Sequence, residues 1–320
     1  MTDLNELNRR LLSLSLPIAR YQFNFTVTSP IFLSEYAGSA IRGAFGHTLR
    51  RVSCMTHERE CDNCPLIKSC PYKVVFEPPV PQGEQIQEFN HIPVSYLIEA
   101  PLDGVRAYKT GSRLSFSMVL CGKSLNHLAL IIFAMIKAMN HDIGHGRAVL
   151  DSVDFINQKG MRQRVYDENS SEVQDHDAVF RPVDLAGINK VSLSFQTPLR
   201  IQTNGEILGP DELTAQKLLI TLIRRCDLVL RFHCKTLLDL PFSEIKDDLQ
   251  RVTIKSDLIW RNWVRYSNRQ KHRMNLGGYV GTIDLENLPD YTLPILQLGE
   301  YLHVGKNAVF GLGGYKLTIC

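Results

Sequence analysis

YLHVGKNAVFGLGGYKLTIC, residues Tyr301 to Cys320, is the stretch from which the fold is read. Apolar residues up to Leu302 give way to a loop with glycines at 305, 311, 313 and 314 and one cation, Lys306. Tyr315 to Ile319 then reads as a short strand. Glycine lets backbone N–H groups approach an anion that a Cβ would hold off, so helix, basic glycine loop and strand could cradle a phosphate backbone. The order is helix to strand and no G-K-[ST] is present, which excludes a P-loop. No strand leads directly into the glycines, which excludes a dinucleotide fingerprint. The competing reading of the glycines is a tight turn into an edge strand.

Working outward, the same order occurs earlier. Ile143-Gly144-His145-Gly146-Arg147-Ala148 follows the apolar run Leu125–Met139 and precedes a strand-like stretch, Ala148–Phe155. Two basic glycine loops between a helix and a strand suggest two copies of one βαββαβ unit. The predicted class is α+β, with tandem ferredoxin-like (RRM-like) domains and a cysteine-rich insertion.

Elements fill in around the loops. Tyr21–Val27 alternates as a strand. Tyr36–Val52 reads as a helix with Ala40, Gly43, Ala44 and His47 on one face. Ile92–Ile98 and Arg113–Leu120 read as a strand pair, and Ser124–Asn140 as a helix. Residues 157–189, largely polar, read as a linker. Lys190–Gln196 opens the second unit as a strand. Asp211–Leu238 reads as mostly helical, Tyr279–Leu285 as a strand, and a last helix begins at Pro289-Asp290. Inserted helical material is expected between 240 and 275. The predicted domains are therefore 1–156, with an insertion at 54–76, and 190–320.

Length and composition allow this. The 320 residues are ample for two cores, and 44% are hydrophobic. The net charge of +3 does not by itself imply nucleic acid. No run of 18 apolar residues predicts a membrane span, and MTDLNELNRR lacks the signature of a signal peptide. A cytoplasmic protein with reduced cysteines is the expectation.

Cys54, Cys61, Cys64 and Cys70 form the pattern C-x6-C-x2-C-x5-C. A C-x2-C turn lets two thiolates converge on one metal, and four complete a tetrahedral shell. Structural zinc is expected, with an iron–sulfur cluster as the other four-cysteine option and His57 as a substitute ligand. Such a closed shell leaves no position for substrate.

The charge is concentrated in Trp260–Arg273. Arg261, Arg265, Arg269, Lys271 and Arg273 have no acid between them. If helical, the first three share a face. Arginine makes bidentate contacts to phosphate and stacks on bases, so RNA or another polyanion is expected there, with the tryptophans in the core.

Three stretches together resemble the CRISPR precursor-RNA-processing endoribonucleases of the repeat-associated (RAMP) superfamily. They are Gly38–His47 with the cysteines that follow through Phe76-Glu77-Pro78, then Arg265–Gln270 running to Gly281, then Leu302–Lys306 with Phe310–Gly313. The resemblance implies two tandem ferredoxin-like domains and metal-independent cleavage of a repeat RNA to mature crRNA. The 2′-hydroxyl would attack the adjacent phosphate, giving 2′,3′-cyclic phosphate and 5′-hydroxyl ends. That chemistry needs a base, an acid and cations for the phosphorane. The family's helix histidine falls on His47, with Tyr36 and Arg51 as helpers. His303, beside the C-terminal glycines, is the rival, and His272 is third. Arg42, Arg147, Gly305, Lys306, Gly311 and Gly313 join the arginine run as candidate RNA contacts. The alternative reading is a non-catalytic guide-RNA-binding subunit of a CRISPR effector complex. A metal-dependent enzyme at the cysteines is disfavoured, since four thiolates close the shell and no obvious carboxylate base stands within it.

Overall fold

A computed structural model describes residues 4–79, 92–267 and 272–320. The chain divides into two compact units. The first comprises Leu16–Phe180 with Phe232–Lys235. The second comprises residues 1–15, Arg181–Arg231 and Thr236–Cys320.

The chain opens with helix α1 (Leu4–Leu12), a member of the second unit. The first unit then begins with strand β1 (Ile18–Ser29), followed by helices α2 (Gly38–Ser53) and α3 (Pro71–Val75). Strands β2 (Tyr96–Glu99) and β3 (Arg113–Cys121), helix α4 (Leu128–His141) and strands β4 (Arg147–Ile156) and β5 (Arg162–Asp167) complete it. The sheet is antiparallel, in the order β2-β3-β1-β4-β5. In β1, Tyr21, Phe23 and Phe25 fall on one face by the period of two and are at most 1% exposed. Phe116 stacks on both phenylalanines, at 5.6 and 5.7 Å between ring centres. Burying each such ring is worth about 1.5–3 kcal/mol. Leu128, Ile131, Ile132, Met135 and Met139 bury the i, i+3, i+4, i+7 stripe of α4, which packs against α2 and β4.

The second unit continues with β6 (Lys190–Leu199), α5 (Ala215–His233) and α6 (Phe242–Asp248). Then come β7 (Thr253–Arg261), β8 (Val264–Ser267), β9 (His272–Asn275), β10 (Gly278–Glu286), α7 (Thr292–Leu302) and β11 (Tyr315–Ile319). Its sheet is antiparallel in the order β7-β10-β6-β11. Counted within each of these two sheets, the first four strands follow one order in space: second, third, first, fourth. α1 packs on α7, with Leu7 and Leu11 each 1% exposed.

Two expectations change. Residues 157–189 contain a strand, β5, which hydrogen-bonds to β4 and extends the first sheet. Among the described residues of 240–275, helix ends with a 3-10 turn at Leu249–Arg251. Thr253 to Arg261 pairs along its whole length with β10, and β8 pairs with β9. The fourfold spacing of arginines fits a helix. But Thr253, Ile254, Ile259 and Trp260 favour a pleated strand, and the β10 ladder supplies every second backbone group with a partner. Among the described residues no helix is long and apolar enough to cross a membrane.

Candidate active site

Helix α2 buries Ile41, Phe45, Thr48 and Leu49, and the opposite stripe faces solvent. On that stripe lie Ala40, Gly43, His47 and Arg51, all exposed. His47 and Arg51 are one turn apart. Among the described residues neither makes a hydrogen bond or ion pair. A Cβ built on Gly43 meets nothing within 4 Å, so the helix surface beside His47 is low and open. The small-residue face expected from spacing is therefore a solvent face.

Tyr36 is 7% exposed and precedes the helix. From Gly38 to His47 the helix rises about 14 Å at 1.5 Å per residue, so Tyr36 is not brought to His47. Arg42 is half-buried, with its guanidinium 4.2 Å from the centre of the Phe76 ring. Phe76 in turn stacks on Tyr72 and Tyr96. Arg42 thus holds the end of α3 against α2.

His303 ends α7 with a left-handed φ of 59° and is 4% exposed. Its Nδ1 lies 3.3 Å from the Leu312 carbonyl oxygen, and its ring occupies the space that a side chain at Gly314 would need. The ring is a packing element inside the loop, closed to solvent. Backbone N–H groups of the same loop are spent on the end of β6. Lys306 N–H donates to the Arg200 carbonyl (2.8 Å) and Gly313 N–H to that of Pro198 (3.0 Å). Gly314 N–H donates to Thr197 Oγ1 (2.9 Å). A Cβ at Gly305, where φ is 89°, would collide with the Arg200 carbonyl. Gly311 lies at φ 85°, and its carbonyl accepts from Thr197 Oγ1 at 2.7 Å. These glycines serve close backbone approach, so the expected cradle of free amides is not formed by these groups. Lys306 remains exposed. The earlier loop repeats the device. Gly146 and Gly144 sit against the carbonyls of Pro30 and Phe32, and Arg147 is exposed at the start of β4.

Among the described residues the basic run follows strands instead of a helix face. Arg261 is exposed at the end of β7. Trp263 is 6% exposed, as a core residue should be, but Trp260 is 37% exposed, packs edge-on against Tyr279 and donates its indole N–H to Asn262. Arg265 and Arg273 belong to β8 and β9, where Arg265 pairs with Met274 and Tyr266 with Arg273. Their side chains, that of His272, and all of Arg269 and Lys271 lie outside the described residues.

Cys54, Cys61, Cys64 and Cys70 are half-buried and line one cavity of about 120 Å³ with Ile67 and Tyr72. Thr56 Oγ1 lies 3.5 Å from Cys64 Sγ and 4.0 Å from Cys54 Sγ. Arg50 ties this loop to α2, donating from Nη2 to the carbonyls of Glu58 (3.0 Å) and Arg59 (2.6 Å). Four thiols are a donor set that zinc takes. Among the described residues no group of three or more His, Cys, Asp or Glu side chains stands close enough to hold a metal.

One polar cavity was not foreseen. It lies on the first sheet and is lined by Asn24, Arg113, Ser152, Asp154, Arg162 and Arg164. Its sequence signal was weak: polar residues at every second position of β1, spread with partners over four strands.

Residues 16–178 match a family model described as an N-terminal domain, and residues 193–315 match the model of the CRISPR-associated endoribonuclease Cas6. No curated protein matches the chain. Among solved structures, a chain of a partial Cas6-RT-Cas1–Cas2 complex superposes with TM-score 0.58 at 15% identity, over 97% of this chain and 47% of that one. This chain thus spans about half the length of that relative. A Cas6 product complex gives 0.56 at 13% identity, over 94% and 100%. The product of a Cas6-related gene from Pyrococcus furiosus gives 0.51 at 13%, over 94% and 98%. At these identities the superpositions speak to the fold.

Proposed function

We propose that the chain, whose residues 193–315 match the model of the CRISPR-associated endoribonuclease Cas6, cleaves CRISPR repeat RNA by internal transesterification to yield crRNA, using His47. The observation that carries this is the exposed pair His47 and Arg51, one turn apart on an unencumbered face of α2. A neutral His47 imidazole would take the proton of the 2′-hydroxyl as its oxygen bonds to phosphorus. The P–O5′ bond then breaks, the leaving oxygen takes a proton from water, and the His47 imidazolium returns its proton to solvent. The ends are a 2′,3′-cyclic phosphate and a 5′-hydroxyl. Arg51 would offset charge on the phosphorane oxygens. No step requires a metal. The burial of Tyr36 and His303 argues against their handling protons, which leaves His47 as the candidate among the side chains described.

Arg147, Arg261 and Lys306 are exposed cations that would hold the strand, together with the β8–β9 ribbon. The shared strand order of the two sheets supports a tandem ferredoxin-like architecture, one unit carrying His47 and the other the ribbon. Other CRISPR proteins are proposed partners.

Incubating wild type and His47→Ala with the repeat RNA in EDTA tests this. The variant should cleave on the order of 100-fold more slowly, with RNA binding retained. Binding without cleavage by wild type would move the reading to a guide-RNA-binding subunit. Full activity in His47→Ala would remove His47 from the chemistry.

For the cysteines we propose structural zinc, held by Cys54, Cys61, Cys64 and Cys70 once they are drawn together, pinning a loop that Arg50 ties to α2. Elemental analysis should find one zinc per chain, lost in Cys61→Ser/Cys64→Ser, and a chelator should lower the melting temperature of wild type. A metal-free protein whose melting is indifferent to chelator would refute it.

A further inference from the structure

Trp260 stands at the surface, although a tryptophan in a strand is usually core. By the period of two it shares a sheet face with Ile254 and Leu258 on β7. Its cross-strand partner Tyr279 shares that face with Ile283 and Leu285 on β10. Ile283 and Leu285 are fully buried, whereas Trp260 and Tyr279 are not. The apolar face therefore surfaces at this end of the sheet as two aromatic rings. They meet edge to face, with centres 5.0 Å apart and planes at 75°. In that geometry each ring keeps at least one face that the other does not cover.

The indole is held at two points. Its N–H donates to Asn262 Oδ1 at 2.6 Å. Its six-membered ring lies over Gly277, where a Cβ would come within 2.9 Å of Cζ2. Gly277 is itself fixed, since its N–H donates to Asn275 Oδ1 at 2.9 Å and its carbonyl accepts from Arg200 Nη1. A ring oriented before binding loses little rotamer freedom when a partner stacks on it.

The charges around the rings say what that partner is. Arg200 is 7% exposed, its Nε has no hydrogen-bond partner, and among the described residues no carboxylate pairs with it. A buried guanidinium without a counter-charge is costly, and burial holds Arg200 below the usual arginine range. A polyanion laid over this end would offset that cost, and exposed Arg261, in register with Gly278, adds a second cation. At the Tyr279 phenol the balance differs. Burial, then Asp211 and Glu212, raise its pKa. An uncharged base fits beside those acids, where a phosphate would be repelled. The β8–β9 ribbon leaves the sheet between Arg261 and Gly278, so the rings are continuous with the basic surface.

We infer that Trp260 and Tyr279 form a stacking platform for an unpaired base of the RNA strand, a subsite that rests on the RNA-cleavage reading. Base–aromatic stacking tolerates any base, because every base has a π-face. The chain has two tryptophans, so the emission of Trp260 is the difference between wild type and Trp260→Phe. Repeat RNA should quench wild type and leave Trp260→Phe, which reports buried Trp263, nearly unchanged. Inorganic polyphosphate, a polyanion without bases, should quench neither. In anisotropy titrations with repeat RNA, Trp260→Ala should bind about 5- to 150-fold more weakly, and Trp260→Phe should recover most of the loss. The slope of log affinity against log salt should match wild type in Trp260→Ala, since no phosphate contact is removed. Melting curves identify variants that fail to fold, and the wild-type quench stands without them. RNA binding by wild type with no quench, or with equal affinity in Trp260→Ala, overturns the platform and leaves the nuclease intact. Self-association of wild type that is lost in Trp260→Ala at unchanged RNA affinity overturns it in favour of a protein contact. A wild type that neither binds nor cleaves the repeat RNA overturns both.

Discussion

His47 and His303 show how much one residue's surroundings decide. Both were candidates through the family resemblance, His47 at the place of the helix histidine and His303 beside the C-terminal glycine loop. Only the fold separates them, since one lies on an open helix face and the other fills its own loop. The cysteines divide in the same way. Burial pushes the Cys226 and Cys234 thiols up to about 12, with the Gly122 amide partly opposing it at Cys234. The thiolate is the reactive form, so both should resist iodoacetamide at pH 8 in the native protein while exposed Cys320 is alkylated. Peptide mass mapping checks this. Native-state modification of Cys226 would contradict its complete burial.

At the scale of elements, α2 contains two glycines with opposite roles. Gly43 faces open space, so Gly43→Ala should stabilise by about 0.5–1 kcal/mol through helix propensity alone. Gly46 lies against the Phe76 ring, and Gly46→Ala should destabilise by about 1–3 kcal/mol through overpacking. Urea denaturation of the two variants gives the signs directly. Boundaries of helices and strands with a single strong period, such as α2 and β1, were legible to within a few residues. The ribbon of β7 to β10 was not, because its arginines recur at helical spacing while the pairing that makes it a strand comes from residues 278–286. The strand β5 was hidden for the same reason: Arg162–Asp167 is polar because it edges a sheet, and composition alone reads as a linker. The glycine loops were found, but their purpose was not. Spacing cannot reveal that a carbonyl of β6 lies where a Cβ would go.

For the whole molecule, the division into units does not follow the chain. Residues 1–15 belong with 181–231 and 236–320, and Leu7 and Leu11 are buried there. Deleting residues 1–15 should therefore weaken the unit that carries the glycine-rich C-terminal loop. Losing two fully buried leucines and their helix should cost at least the 2–5 kcal/mol typical of one such truncation. Hydrogen exchange should show faster opening in α7 and β11, with β1 and α4 protected as before. Loss of protection confined to the first unit would contradict this division.

The same helix sets an order of events during synthesis. At 5–20 residues per second, α1 leaves the ribosome about 15–55 s before the whole of α7 has been made. Through that interval the entire Leu16–Phe180 unit can fold, while Leu7 and Leu11 have no docking surface. Helix α1 is thus translated before the whole first unit and finds its place only after it. Until then it is an amphipathic segment open to chaperones.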